Sequence, residues 1–150
     1  MRTTAKTKTI GATIKLGGEK EYRKAISNIN DSMKVLRSEM RKSSAEFGDN
    51  AKSLKSLTTQ KKQLKEQIEQ QTVKVRTLRG AVESATQNYA ENSKDVKRWT
   101  TSLNDAEAEL AKMNNRLGDL KNQTSGTKTL EIAFRNIKSR ISEASENMPP

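Results

Sequence analysis

The chain contains neither cysteine nor histidine, and these two absences already exclude several kinds of site. Without cysteine there is no disulfide and no thiolate metal site. Without histidine the commonest metal ligand and the commonest acid–base catalyst are both missing. The few glycines and carboxylates do not form the spacings of phosphate-binding or catalytic motifs. We therefore predict that the protein is not an enzyme and holds no metal or cofactor.

Proline and apolar residues are also scarce. The two prolines are Pro149 and Pro150, so no earlier residue forces a helix to break. Hydrophobic residues make up 31% and aromatic residues 3% of the 150 positions, which is too little to fill a wide, layered core. No apolar run approaches the roughly 20 residues of a membrane span, and the first nine residues lack the apolar segment of a signal peptide. We expect a protein made in the cytoplasm.

The apolar residues that are present form a regular stripe. From residue 22 to residue 120 they recur at alternating spacings of four and three, which is typical of helices packed along one seam. The pattern predicts an all-α fold of elongated coiled-coil helices or helical hairpins, in which the partner is another chain or another segment of this one. The predicted seam consists of Tyr22, Ile26, Ile29, Met33, Leu36, Met40, Leu54, Leu57, Leu64, Ile68, Val75, Leu78, Val82, Tyr89, Val96, Trp99, Leu103, Leu110, Met113, Leu117 and Leu120.

The chain before the seam has two parts. Residues 1–8 are rich in Lys and Thr without periodicity, and we expect a flexible basic tail. Residues 9–18 predict a short N-terminal β-strand, because apolar side chains alternate with small or polar ones before two glycines. A lone strand must pair with a neighbouring edge, so we expect a docking strand. Its apolar residues are Ile10, Ala12, Ile14 and Leu16.

Two turns are plausible inside the helical region 19–124. Near residues 47–51 the sequence Phe47-Gly48-Asp49-Asn50 disfavours helix, and Asn50 could cap a helix that resumes at Ala51. The stripe nevertheless keeps its phase across this point, as an unbroken helix would. Both a hairpin and a continuous helix therefore stay open here.

Near residues 91–93 the pair Asn92-Ser93 offers a helix cap, with Asp95 in the first turn that follows. Beyond the seam, residues 125–150 predict a linker around Ser125 and Gly126 and then a short amphipathic helix. Four apolar residues there repeat the spacing in a new phase. They are Leu130, Phe134, Ile137 and Ile141.

The net charge of +11 is concentrated in the first half of the chain. Residues 1–80 hold nineteen Lys or Arg against eight Asp or Glu, whereas residues 81–150 hold ten of each. Such a basic rod could bind an acidic protein surface or neutralise DNA phosphates. Basic side chains also commonly do no more than solvate the outer helix positions of coiled coils. The stacking aromatics of nucleic-acid modules are missing, so DNA is the more weakly supported partner.

The order of these parts resembles a known family. The run Ile10-Gly11-Ala12-Thr13-Ile14-Lys15-Leu16-Gly17-Gly18, the helix through Tyr22 and Ile26, Phe47-Gly48-Asp49-Asn50 and the Gln/Lys-rich helix after it are similar to the N-terminal region of tail tape measure proteins. These come from long-tailed phages and prophages of Gram-positive bacteria. The family's turn often reads Phe-Asp-Pro-x-Asn; here Gly48 replaces the Asp and the Pro is missing, which leaves the hairpin in question.

The resemblance implies a structural phage protein. Copies would self-associate, for example as a trimer, and would bind tail tube and tail assembly proteins. The location would be the virion tail, and the bacterial host cytoplasm during assembly. The protein would set tail length through extended coiled-coil interactions inside the tube. Fully helical, 150 residues reach only about 225 Å, short for a complete ruler, so we expect a piece of a longer protein.

Two other functions fit the same residues. A cytoplasmic coiled-coil scaffold or spacer needs the same seam, and co-purifying partners would distinguish it from a tail protein. A non-specific DNA-binding basic rod would lose affinity steeply with salt and show no base preference.

Overall fold

The computed structural model describes residues 13–90 and 92–146, and over this part of the chain the fold is all-α. Three helices account for nearly all of it: α1 (Glu19–Phe47), α2 (Leu54–Asn88) and α3 (Lys94–Glu146). A short 3-10 turn (Gly48–Asn50) follows α1. At about 1.5 Å per residue, the 53 residues of α3 extend for roughly 80 Å, against roughly 52 Å for the 35 residues of α2.

Short-range polar interactions explain where α2 and α3 begin. The Ser53 hydroxyl accepts a hydrogen bond from the backbone N–H of Ser56 at 3.2 Å. The Ser93 hydroxyl accepts one from the N–H of Val96 at the same 3.2 Å distance. Each bond satisfies an amide that has no partner inside its helix. The cap predicted at 92–93 is therefore formed by Ser93. The cap predicted at Asn50 is wrong, because α2 starts later, behind Ser53.

The chain reverses direction after α1 and again after α2. Gly48 has a φ of 50°, the one value in the left-handed region among the residues that the structure describes, and its N–H donates to the Ser44 carbonyl. Tyr89 leaves α2 in an extended conformation. These reversals lie at 48–53 and 89–93, close to the two turns considered from sequence. The apolar stripe keeps its phase across both turns although the chain folds back at each. A constant phase therefore does not require one continuous helix.

α2 is the central helix, because it packs against both α1 and α3. The Gln67 amide donates to the Met40 sulfur at 3.2 Å, and the Gln71 amide donates to the Ala106 carbonyl at 2.9 Å. Because each pair of packed helices is joined by at most six residues, neighbouring helices run antiparallel. Their contacts form two apolar clusters along α2, with buried members Ile29, Met33, Leu57, Leu64, Met113 and Leu120 in one and Val75, Leu78 and Ala106 in the other.

The predicted seam lies inside this arrangement. Of its 21 residues, all but Tyr89 are buried or half-buried. Tyr89 is 46% exposed because it stands in the turn where α2 has already ended. The seam is therefore covered mainly by other segments of the same chain.

α2 also buries a second face that the stripe did not predict. Ser56, Gln67 and Thr77 are buried although they lie off the stripe. A helix that packs between two others must bury more than one line of residues, whereas the heptad pattern predicts a single buried line. Ala81 is buried as well, because a small side chain allows the neighbouring chain to approach closely.

No strand forms over residues 13–16, so the predicted β-strand is not supported there; Ile10 and Ala12 lie outside the described residues. The segment instead packs on the helices of its own chain. The N–H of Ile14 donates to the Arg76 carbonyl of α2 at 3.1 Å. The Tyr22 hydroxyl accepts from the Leu16 N–H at 2.9 Å and donates to the Ile14 carbonyl at 3.4 Å. These backbone groups thus find partners without a neighbouring sheet.

Gly80 permits this contact. A Cβ built on Gly80 would lie 1.8 Å from the carbonyl oxygen of Ile14, a distance that no real contact reaches. In the heptad pattern Gly80 falls on an outer position, where a glycine is expected only to weaken α2. In the folded chain it is buried under the N-terminal segment.

The linker predicted around Ser125 and Gly126 is wrong. α3 continues through Ser125 and Gly126, so the amphipathic helix expected after the linker is the last part of α3. The Thr124 hydroxyl donates to the Leu120 carbonyl at 2.7 Å, and the Thr129 hydroxyl donates to the Ser125 carbonyl at 2.9 Å. Hydroxyls that bond one turn back are compatible with helix, and one glycine costs only about 1 kcal/mol there.

The substitution Gly80→Ala tests the docking of the N-terminal segment. The new methyl group should displace the Ile14 carbonyl, so we expect at least about tenfold faster hydrogen exchange of the Ile14 and Leu16 amides. Gly118→Ala is the matched control, because nothing lies within 4 Å of a Cβ at that position. The control should stabilise the fold by up to about 1 kcal/mol and leave both amides protected. Unchanged protection in Gly80→Ala would contradict the contact.

Candidate functional site

A groove runs between α1 and α3, with α2 as its floor. It exists because α1 and α3 each pack against α2 and make few contacts with each other. Its larger part has a volume of about 750 Å³ and is open to solvent. The residues that line it are Arg37, Met40, Arg41, Ser44, Leu64, Gln67, Glu109, Lys112, Met113 and Arg116.

The floor of the groove is apolar and adaptable. Met40, Leu64 and Met113 come from the three different helices, and each is at most 8% exposed. Methionine side chains are flexible and polarisable, so they fit apolar surfaces of different shapes. Gln67 is buried beside them, and its amide nitrogen is held by the Met40 sulfur. The floor can therefore accept apolar side chains from a bound partner.

The rim is strongly basic. Arg37 and Arg41 are one turn apart on α1, and Lys112 and Arg116 are one turn apart on α3. All four are exposed, and within the described chain none of them forms an ion pair. Among the described residues, Glu109 is the one carboxylate that lines this part of the groove. The rim thus presents two facing rows of positive charge across an apolar floor.

The groove continues past Arg37 into a smaller part of about 460 Å³, where charges of both signs meet. Lys74 lies on this floor with Asp105 and Glu109 nearby. Burial lowers the pKa of Lys74, the positive charge of Arg37 lowers it further, and Glu109 acts in the opposite direction. Lys74 is therefore a partly desolvated cation among charges of both signs.

Trp99 lies at the far end of this smaller part. Its ring meets that of Tyr22 edge to face, with the centroids 6.5 Å apart and the planes at 65°. Such a pair stabilises the contact between α1 and α3 at this end. Trp99 is half-buried and occupied by this packing, in line with its position on the predicted seam.

The arrangement offers a surface for binding a partner. Among the residues that the structure describes, no group of three or more metal-ligating side chains comes together. No helix in that part of the chain is long and apolar enough to cross a membrane. A long, open groove with an apolar floor and a basic rim is complementary to an elongated acidic partner that carries apolar side chains along one face.

Comparison with known proteins found no significant match among protein-family profiles, curated proteins or solved structures. The class of the protein is therefore defined by its own structure. Over the described residues it is all-α, with three helices in antiparallel succession.

The groove combines residues that were predicted with residues that were not. Met40, Leu64 and Met113 are members of the predicted seam. The sequence pattern alone does not show that one side of this seam is left open to solvent. The rim was not predicted. A signal for it exists in the pairs of basic residues four apart, Arg37 with Arg41 and Lys112 with Arg116. Their opposition across a groove depends on how α1 and α3 are placed.

Lys74 provides a test of the electrostatics in the smaller part. Its pKa is lowered from 10.5, so at neutral pH the folded protein carries a desolvated charge that the unfolded chain solvates freely. We expect Lys74→Met to be slightly more stable than the natural chain at pH 7. The difference should shrink as the pH approaches 10.5, because the folded state loses this proton before the unfolded state does.

Urea unfolding of both proteins at pH 7 and pH 10 measures that difference. Lys62→Met is the matched control, since Lys62 is an exposed lysine of the same helix. It removes the charge of an exposed lysine, so the comparison isolates the effect of burial. A pH-independent effect of Lys74→Met would show that burial and Arg37 do not act on this group.

Proposed function

We propose that this chain is a structural assembly protein of the phage tail tape measure type, which docks acidic tail proteins in the groove between α1 and α3. The groove is the observation that carries the proposal. The resemblance of the sequence motifs to the N-terminal region of tape measure proteins supports the family, and the all-α fold is compatible with it.

The folded-back helices change how such a protein would act. The seam from residue 22 to residue 120 would extend about 150 Å as one continuous helix. In the folded chain it is divided among three antiparallel helices, and the longest of these spans about 80 Å. We therefore infer that the chain contributes to tail assembly by binding partners, and that extended coiled-coil packing through this seam is not its means of measuring length.

The rim favours an acidic protein partner over DNA. Duplex DNA presents phosphates on a convex surface, which reaches the rim but not the buried floor formed by Met40, Leu64 and Met113. An amphipathic helix with acidic residues beside its apolar face would use both. Its carboxylates would meet Arg37, Arg41, Lys112 and Arg116, while its apolar side chains would cover the floor. Within the described part of the chain, no aromatic side chain that could stack on nucleic-acid bases lines the larger part of the groove.

A cytoplasmic coiled-coil scaffold or spacer is the alternative that the same geometry favours next. It would use the groove in the same way for a partner of cellular origin. The two functions therefore differ in the identity of the partner and not in the mode of binding.

Co-expression with tail tube and tail assembly proteins of long-tailed phages tests the proposal. We expect co-purification at about 50 mM salt and a marked loss near 500 mM, because exposed charges are screened as the Debye length falls. Recovery of host proteins alone would favour the scaffold. Tight binding to duplex DNA with a steep salt dependence, and no tail partner, would favour the basic rod.

The double variant Arg41→Glu with Lys112→Glu tests the groove itself, because it reverses one charge on each side of the rim. We expect at least about tenfold weaker binding of the partner, as measured by calorimetry or biolayer interferometry. Lys24→Glu with Lys62→Glu is the matched control, which makes the same change in net charge at exposed positions outside the groove. Equal losses in both variants would show that net charge, and not the groove, determines binding.

A further inference from the structure

The last part of α3 carries an apolar stripe that no other part of the described chain covers. α2 begins at Leu54, and Leu57, in its first turn, packs in the same cluster as Leu120. The part of α3 that follows Leu120 therefore extends beyond the end of α2. The stripe consists of Leu130, Phe134, Ile137 and Ile141, which are 62%, 71%, 50% and 62% exposed.

The four residues share one face of α3. Their spacings are four, three and four, so they follow the repeat that places apolar side chains along a packing seam. Ile132 is 45% exposed but lies off this face. Scattered apolar residues are normal on protein surfaces, whereas an aligned set of large ones marks an interaction site.

We propose that this stripe binds the same stripe of a second copy of the chain, with the two helices antiparallel. In the register that buries all four residues, Leu130 of one copy lies opposite Ile141 of the second copy. Phe134 then lies opposite Ile137 of the second copy. Each contact occurs twice because the pairing has two-fold symmetry.

The charges beside the stripe support this register. Glu131 and Lys138 flank the stripe on the same side. The antiparallel register places Glu131 next to Lys138 of the second copy, and the two-fold axis repeats this opposite-charge pair. A parallel pairing would place Glu131 next to Gly126 and Lys138 next to Ala133 of the second copy. Charge complementarity therefore favours the antiparallel arrangement.

Other apolar surfaces of a second copy fit less well. The seam is already covered inside each chain. The groove between α1 and α3 has a basic rim, and the stripe is itself accompanied by Arg135, Lys138 and Arg140, so like charges would face each other. The pairing does not depend on the proposed function. With four apolar residues per copy the interface is small, so we expect a concentration-dependent dimer.

Disulfide trapping tests the direction of the pairing, because the natural chain has no cysteine. We expect Leu130→Cys and Ile141→Cys, oxidised as an equimolar mixture of full-length chains, to form mainly the mixed dimer. Each variant alone should form little disulfide-linked dimer, because an antiparallel pairing separates the two identical positions by about 16 Å. Efficient dimers of each variant alone would indicate a parallel pairing, and no cross-linking in any sample would overturn the proposal.

Charge reversal at the flanking positions gives a second, independent measurement. Sedimentation should show that Glu131→Lys weakens the dimer, and that adding Lys138→Glu to it restores the natural affinity. Phe134→Ala should weaken the dimer at least about tenfold, whereas Val35→Ala, at a position of α1 that is 59% exposed, should not. Circular dichroism would verify that all variants keep their helices. Equal affinities for Phe134→Ala and Val35→Ala would contradict the proposed interface.

Discussion

The need to cover α2 on two sides governs the rest of this structure. α2 carries apolar seam residues that pack against α1 and α3, and it buries a second set of small or polar residues such as Ser56 and Thr77. A single partner helix could not cover both faces. The chain supplies two covers by reversing at Gly48 and again beyond Asn88. Gln71 then stabilises the alignment of α2 with α3, because its amide reaches the Ala106 carbonyl.

Both candidate interaction surfaces follow from this arrangement. α1 and α3 lie beside the same helix without closing on each other, which leaves a groove with an apolar floor and a basic rim. α3 is 53 residues long and α2 only 35, so α3 extends beyond the packed part and exposes the stripe around Phe134. One surface suits an acidic partner and the other a second copy. The two proposals are therefore physically independent.

Much of the helical content could be predicted because it depends on local chemistry. The absence of proline before residue 149, the four-three spacing and the capping serine at Ser93 each act within a few residues. Predictions failed where local signals competed. Ser125 and Gly126 are typical of a linker, yet their cost is small within a long helix. The alternating residues that predicted a strand lie in a segment whose backbone forms hydrogen bonds with Arg76 and Tyr22. The bond to Arg76 joins residues far apart in the sequence, which a local pattern does not reveal.

The sequence by itself determined that the chain is helical, that nearly all seam residues avoid water, and where the positive charge is concentrated. Periodicity and composition carry this information directly. Only the tertiary structure decided that the seam is filled by the chain itself, that Gly80 makes room for Ile14, and that Arg41 and Lys112 face each other. Such facts depend on the relative placement of helices, because a one-dimensional repeat specifies a packing face but not which segment covers it.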